Sequence, residues 1–201
     1  MTKSARLFLP ICIFKHSFPH REVRLDPAAE QALIAELKSG SQRALDLAYR
    51  QYSGGVLAYC LKILGDRQSA EDVVQETFIR VGQSAQSVQN HESFRSWIFR
   101  IARNEALMQI RKRQRNGQID ERDVWDEETP HHLLVSSERS EMVNRMLDGL
   151  KHEYKEALVL LVYENMSYAE IAAVTGVTES SVKSRIYRAR KAMVERLKGL
   201  G

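Results

Sequence analysis

The chain has 201 residues, enough for one ordinary domain or two small ones, and its 43% hydrophobic and 28% charged content describes a folded protein rather than a disordered one. A net charge of +4 excludes a polycation. The absence of any apolar run of about 18 residues or more excludes membrane insertion through a spanning helix.

The amino-terminal stretch "SARLFLPICIF" has the flavour of a signal-peptide core. It is short, broken by Pro10, followed by Lys15, His16 and Arg21, and lacks a small-residue cleavage site. Residues 1–24 are therefore read as an unstructured tail or an artefact of start-site choice, and the protein as cytoplasmic. Cys12 and Cys60 make no disulfide framework, which fits a reducing compartment, and Cys60 sits in the apolar run "VLAYCLKIL" as a small buried hydrophobe. Cys12, His16 and His20 share a spacing of four, but Pro19 interrupts any helix that would align them, so neither a metal site nor a cofactor is expected.

Structure is expected to begin at "LDPAAEQALIAELKSG", with Asp26 as N-cap, Pro27 as first helical residue and Gly40 just past the end. "SQRALDLAYRQY" follows, Gly54 and Gly55 are expected to weaken or bend the chain, and "VLAYCLKILG" reads as a second apolar helix ending near Gly65. Ser69 is the expected cap of "AEDVVQETFIRVG". A longer helix then runs through "FRSWIFRIARNEALMQIRKRQR", with Trp97, Ile98, Ile101, Leu107 and Ile110 supplying its buried side. No segment alternates with period two long enough to argue a strand.

Residues 116–136 carry Gly117, Pro130 and the acidic run "IDERDVWDEETP", and read as a flexible linker. Beyond it, "SERSEMVNRMLDGL" groups Met142, Val143, Met146, Leu147 and Leu150, and "EYKEALVLLVYEN" reads as a compact buried helix. "SYAEIAAVTG" opens with a capping box, Ser167 and Glu170, and closes at Gly176; Thr178 caps the next helix. The fold expected is all-α: a helical domain at 25–115, an acidic linker at 116–136, and a helix-turn-helix domain at 137–198.

That last helix has two unlike sides. Val182, Ile186, Ala189, Met193 and Leu197 form one apolar stripe, while Ser180, Lys183, Ser184, Tyr187, Arg188 and Lys191 fall opposite. A short capped helix, the turn "TGVT" and this amphipathic helix make a helix-turn-helix, whose second helix enters the major groove. Lys183, Arg188 and Lys191 can neutralise phosphates, and the short Ser180, Ser181 and Ser184 let the backbone approach base edges. Arg185 and Arg190 flank the face. A second basic block runs from Phe94 to Arg115, where seven bases accompany the one acid Glu105. Two basic blocks around an acidic linker suggest two contacts with a polyanion.

"MSYAEIAAVTGVTESSVKSRIYRARK" resembles the carboxy-terminal DNA-reading region of bacterial extracytoplasmic-function (ECF) RNA polymerase sigma factors of the sigma-70 family. "SAEDVVQETFIRV" and "FRSWIFRIARNEAL" resemble that family's amino-terminal region, and order, spacing, linker and length agree over about residues 26–198. The resemblance implies a transcription initiation factor, not an enzyme. Its carboxy-terminal domain would read the duplex −35 element through Thr178, Ser180, Ser181, Lys183, Ser184, Arg185, Tyr187, Arg188 and Lys191. Its amino-terminal domain would capture the melted −10 element through Phe94, Arg95, Trp97, Arg100, Arg103 and Asn104, which offer aromatic faces for unstacked bases, cations for phosphate and an amide for a base edge. Asp72, Gln75, Glu76 and Phe78 match the segment that binds the clamp helices of the polymerase β′ subunit. The β flap would be a further polymerase contact, and such factors are often held inactive by an anti-sigma partner. The chain departs from the family's habit at Gly82, at Met108, and at Thr178, Ser180 and Ser181, where Pro, Gly and Thr are usual.

Energetics also calls for a partner. Stacking is worth ~1.4 kcal/mol per step, so opening about ten base pairs costs roughly 14 kcal/mol. A captured base returns only ~1–3 kcal/mol. This chain would need core RNA polymerase and promoter DNA, double- and single-stranded. Its acidic linker would be either a solvated tether or an occupant of the RNA path with carboxylates in place of phosphates. The rival reading, a stand-alone helix-turn-helix regulator, leaves "DVVQETF" and the second basic helix unexplained. A recombinase-like enzyme would need a sheet-containing catalytic domain that the pattern does not provide.

Overall fold

The computed structural model describes residues 26–88, 93–115 and 138–199, and all the regular structure among them is helical. The chain divides into two compact units, one centred on residues 20–109 and the other on residues 110–201. The expected tail at 1–24, with Cys12, and the linker at 116–136 lie outside the described residues.

The first unit opens with α1, Pro27–Lys38, whose N-cap Asp26 accepts from the N–H groups of Ala28 and Ala29, both at 2.9 Å. α2 then runs unbroken over Gln42–Leu64. The expected bend at Gly54–Gly55 does not occur. A helical glycine costs about 1 kcal/mol, whereas burying Tyr52, Val56 and Tyr59 on one continuous face returns ~1.5–3 kcal/mol for each large apolar side chain. Packing outweighs propensity here. Gly65 ends the helix in the left-handed region at φ 83°.

α3 spans Arg67–Ser84, and its cap is Asp66, not Ser69. The Asp66 carboxylate accepts the Ser69 N–H at 2.8 Å, so Ser69 lies buried in the first turn instead of preceding it. A carboxylate also complements the positive end of the helix dipole better than a hydroxyl. A 3₁₀ turn, Ala85–Ser87, follows. α4 then spans Phe94–Arg115, as its periodicity predicts. Its Trp97, Ile98 and Ile110 are buried as expected, while Ile101 and Leu107 are half-buried. Cys60 is fully buried in this core.

The second unit holds α5, Glu138–Asp148, α6, His152–Val162, α7, Tyr168–Thr175, and α8, Glu179–Gly199. Val143, Met146, Leu147 and Leu150 from α5 and its exit turn meet Leu158 of α6 and Ala189 and Met193 of α8 in one apolar cluster. The capping box forms as read: Ser167 N–H donates to Glu170 at 2.7 Å, and Glu170 N–H donates to the Ser167 hydroxyl at 3.2 Å. Gly176, at φ 71°, supplies the turn into α8.

Candidate nucleic-acid interface

In the second unit, Thr178 starts α8 by accepting the Ser181 N–H at 3.2 Å. The hydroxyls of Thr178 and Ser181 lie 3.0 Å apart and can bond each other. From this fixed start the helix phase is set. Val182, Ile186, Ala189 and Met193 are buried, and Leu197 packs against the same core from its edge. Ser180, Lys183, Ser184, Tyr187, Arg188 and Lys191 are all exposed, Tyr187 at 60%. The face inferred from periodicity therefore exists as one continuous strip. Ser181, Arg185 and Arg190 are half-buried at its margins.

Two partners of this strip lie outside the helix-turn-helix. The Tyr154 hydroxyl accepts from Arg188 Nη1 at 3.3 Å and, with a smaller contribution from the Glu153 carboxylate, holds the guanidinium pKa above its ordinary value. Glu153 Oε2 lies 3.4 Å from Arg185 Nη2. Neither acceptor was legible in the sequence, because α6 shows only as an apolar run and its register against α8 is a tertiary property. Lys191 meets Glu195 one turn on, at 3.9 Å, in an exposed pair that leaves its charge available.

The first unit presents the other basic block differently. The resemblance implies Phe94 and Trp97 as faces for unstacked bases and Arg95 as a cation for phosphate; here Phe94 is 0% and Trp97 2% exposed, and Arg95 is buried with them. Phe94 stacks on Trp97 with centroids 5.6 Å apart and meets Tyr52 edge-on at 5.6 Å. The Arg95 guanidinium lies 5.3 Å from the centre of the Phe99 ring. Spaced at i, i+3, the two aromatics fall on the core side of α4, so in this conformation they form the floor of the face. Farther along α4, Asn104 is exposed, and Arg100 and Arg103 are half-buried.

The start of α4 and the 3₁₀ turn before it are both tied to α1. Glu30 accepts the Phe94 N–H at 2.6 Å, Lys38 Nζ donates to the Val88 carbonyl at 3.0 Å, and Gln86 donates to the Lys38 carbonyl at 2.7 Å. Trp97 Nε1 donates to the Ser87 hydroxyl at 3.3 Å. On α3, Asp72 and Gln75 are exposed and Glu76 is half-buried, whereas Phe78 is buried edge-on against Tyr49 at 4.9 Å. Arg80 joins α3 to α4, with Glu76 at 3.2 Å and the buried Glu105 at 2.7 Å. Burial raises the Glu105 pKa above the ordinary carboxylate range; Arg80 opposes the shift and Glu76 adds to it.

Residues 48–116 match Sigma-70 region 2, and residues 140–193 match Sigma-70, region 4. The chain is 30% identical over 183 residues to the RNA polymerase sigma-H factor of Pseudomonas aeruginosa, covering 85% of this chain and 95% of that protein. It is also 30% identical over 183 residues to the ECF RNA polymerase sigma-E factor of Haemophilus influenzae, covering 85% and 96%. This chain belongs to the ECF sigma factors of the sigma-70 family. The fold agrees. The sigma factor RpoE, solved in complex with the anti-sigma factor NepR from Bartonella quintana, superposes with a TM-score of 0.64 at 28% identity, over 76% of this chain and 96% of that one.

As an ECF sigma factor the protein directs transcription initiation, and it belongs to a family that is not one of catalytic enzymes. The sigma region 2 match takes in α3 and α4, and the region 4 match takes in α6, α7 and the exposed strip of α8. Among the described residues, no helix of this sigma factor is long and apolar enough to cross a membrane.

Proposed function

We propose that the second unit reads the duplex −35 element through α8, and that the first unit captures the melted −10 element on the face of α4 that carries Arg100, Arg103 and Asn104. The observation that supports this most is the exposed strip of Ser180, Lys183, Ser184, Tyr187, Arg188 and Lys191, set by a capped turn and backed by the buried Val182, Ile186, Ala189 and Met193. A helix so presented fits the major groove, with lysines and arginines for phosphates and guanine and hydroxyls for close approach. Phe94 and Trp97 would serve −10 capture from beneath, by fixing the start of α4. Asp72, Gln75 and Glu76 would dock on the β′ clamp helices, with Phe78 and Tyr49 keeping α3 in register beneath them.

On this reading residues 25–115 form the polymerase-binding and promoter-melting domain, 116–136 the linker, and 137–198 the −35 domain. The factor acts in the cytoplasm, on core polymerase, with no catalytic step of its own. An anti-sigma protein is the regulatory partner that the RpoE–NepR complex suggests for this chain. Run-off transcription with purified core polymerase on a promoter library tests the reading. The full chain is expected to give discrete starts only with core present, and Lys183→Ala with Arg188→Ala to abolish them on promoters of fixed upstream sequence. Starts that ignore both substitutions would count against the assignment of α8.

A further inference from the structure

α6 is outside the helix-turn-helix, yet two neighbouring side chains in its first turn reach across to α8. Tyr154 takes a hydrogen bond from Arg188, at 3.3 Å, and Glu153 faces Arg185, at 3.4 Å. The two acceptors differ in kind. A hydroxyl is neutral, so it fixes the direction of a guanidinium and leaves its charge intact. A carboxylate offsets the charge it binds and repels a nearby phosphate.

We infer that Tyr154 is a specificity-determining positioning residue, which holds Arg188 in the pose from which it reads a base edge, while Glu153 keeps Arg185 from acting as an indiscriminate phosphate contact. The inference rests on the reading of α8 as the −35 helix. A long exposed arginine loses rotamer freedom when it binds, and that loss weakens every specific contact it makes. Ordering the fork beforehand removes part of the loss. One of the five guanidinium N–H donors is then engaged by Tyr154, and the others can span O6 and N7 of a guanine or a phosphate. Arg185, half-buried and faced by Glu153, adds net charge to the interface only after leaving that carboxylate. Binding to arbitrary duplex is weakened while the read-out arginine is kept ready, a pairing of attraction with a built-in penalty.

Holoenzyme assembled from core polymerase and the full chain is used to enrich duplexes from a library randomised over the upstream element. Arg188→Ala and Arg188→Lys are expected to flatten base preference at one or two positions by about tenfold or more, since lysine cannot form the bidentate fork. Tyr154→Phe keeps the ring and removes only the hydroxyl. It is expected to flatten the same positions by roughly three- to tenfold, to leave the other positions and the melting temperature unchanged, and to have no further effect in the Arg188→Ala background. Glu153→Gln is expected to tighten binding to a random-sequence duplex and to steepen the log–log salt dependence by about one. If Arg188→Ala flattens a position and Tyr154→Phe leaves it intact, or lowers all positions alike, the positioning role is overturned. An unchanged salt slope in Glu153→Gln overturns the part assigned to Glu153. If Arg188→Ala itself changes nothing, the assignment of Arg188 to the −35 element has failed, and the role of Tyr154 with it.

Discussion

The carboxylate of Glu30 accepts the backbone N–H of Phe94 at 2.6 Å, so a residue of α1 caps α4 across 64 positions of sequence. The first four N–H groups of a helix have no partner within it, and an anionic acceptor there is favoured by the helix dipole. The contact makes α1 part of what sets the start of α4.

Glu30→Ala should cost the first unit about 1 kcal/mol, the worth of a helix cap. Hydrogen exchange of the full chain should show faster exchange at the amides of α4's first turn, with those of α8 unchanged. Equal protection in variant and parent would mean that the start of α4 is held by the Tyr52–Phe94–Trp97 packing and the Ser87 and Ser93 hydroxyls without Glu30.

Glu105 gives a pH dependence with a definite sign. Its pKa lies above the ordinary carboxylate value in the folded chain, chiefly through burial. Between the unfolded and the folded pKa the native state binds more protons, so the stability that Glu105 contributes falls as pH rises through that window. Glu105→Gln should remove this component, so the melting difference between variant and parent should change with pH in the weakly acidic range and level off above it. Arg80→Ala should raise the Glu105 pKa further and destabilise by about 1–3 kcal/mol, toward the low end because the Arg80 side chain is 44% exposed. Carboxyl titration by NMR measures both shifts.

At the end of α5 the Arg196 guanidinium donates to the Gly149 carbonyl, and a Cβ added at Gly149 would overlap that guanidinium. Because the obstructing atoms end a flexible side chain, Gly149→Ala should evict Arg196 instead of distorting the backbone. The cost expected is below that of a buried hydrogen bond to a charged donor, about 1 kcal/mol or less, because the contact is exposed. Arg196→Ala should cost a similar amount, and the double variant no more than either alone. Denaturant unfolding that shows the two costs adding would separate the two residues.

Local chemistry was the most legible part of this chain. Asp26, Pro27, the Ser167–Glu170 box, Gly176 and Thr178 act through residues within three or four positions, so each was readable from the string alone. The phase of α8 followed from its 3.6-residue period. What failed did so where distance in sequence mattered. The glycines of α2 looked like a break because the continuous core face that overrides them is built by α3 and α4. Ser69 and Asp66 are both good caps, and the choice went to the carboxylate next to the left-handed Gly65. The burial of Phe94 and Trp97 likewise depends on a distant residue, since Phe94 packs between Trp97 and Tyr52 of α2. Glu153 and Tyr154 left no mark in the pattern at all.

Replacing Lys183 and Arg188 with alanine removes two cations from the exposed strip. Holoenzyme binding to promoter duplex should weaken, and the log–log salt slope should flatten by about one for the phosphate contact of Lys183, while the loss of Arg188 shows chiefly as lost base preference. Titrations between low and moderate salt measure the slope, and an unchanged value would remove Lys183 from the DNA interface.

On the proposed reading, two helical units hold one promoter at a paired and an unpaired site. Photo-crosslinking side chains placed at Ser184 and Asn104 in the full chain, with core polymerase and promoter, test it most directly. Ser184 should mark double-stranded DNA upstream, and Asn104 should mark the exposed strand of the opened segment only once the complex has opened. Crosslinks from Ser184 alone, with Asn104 touching no nucleic acid in the open complex, would contradict the claim.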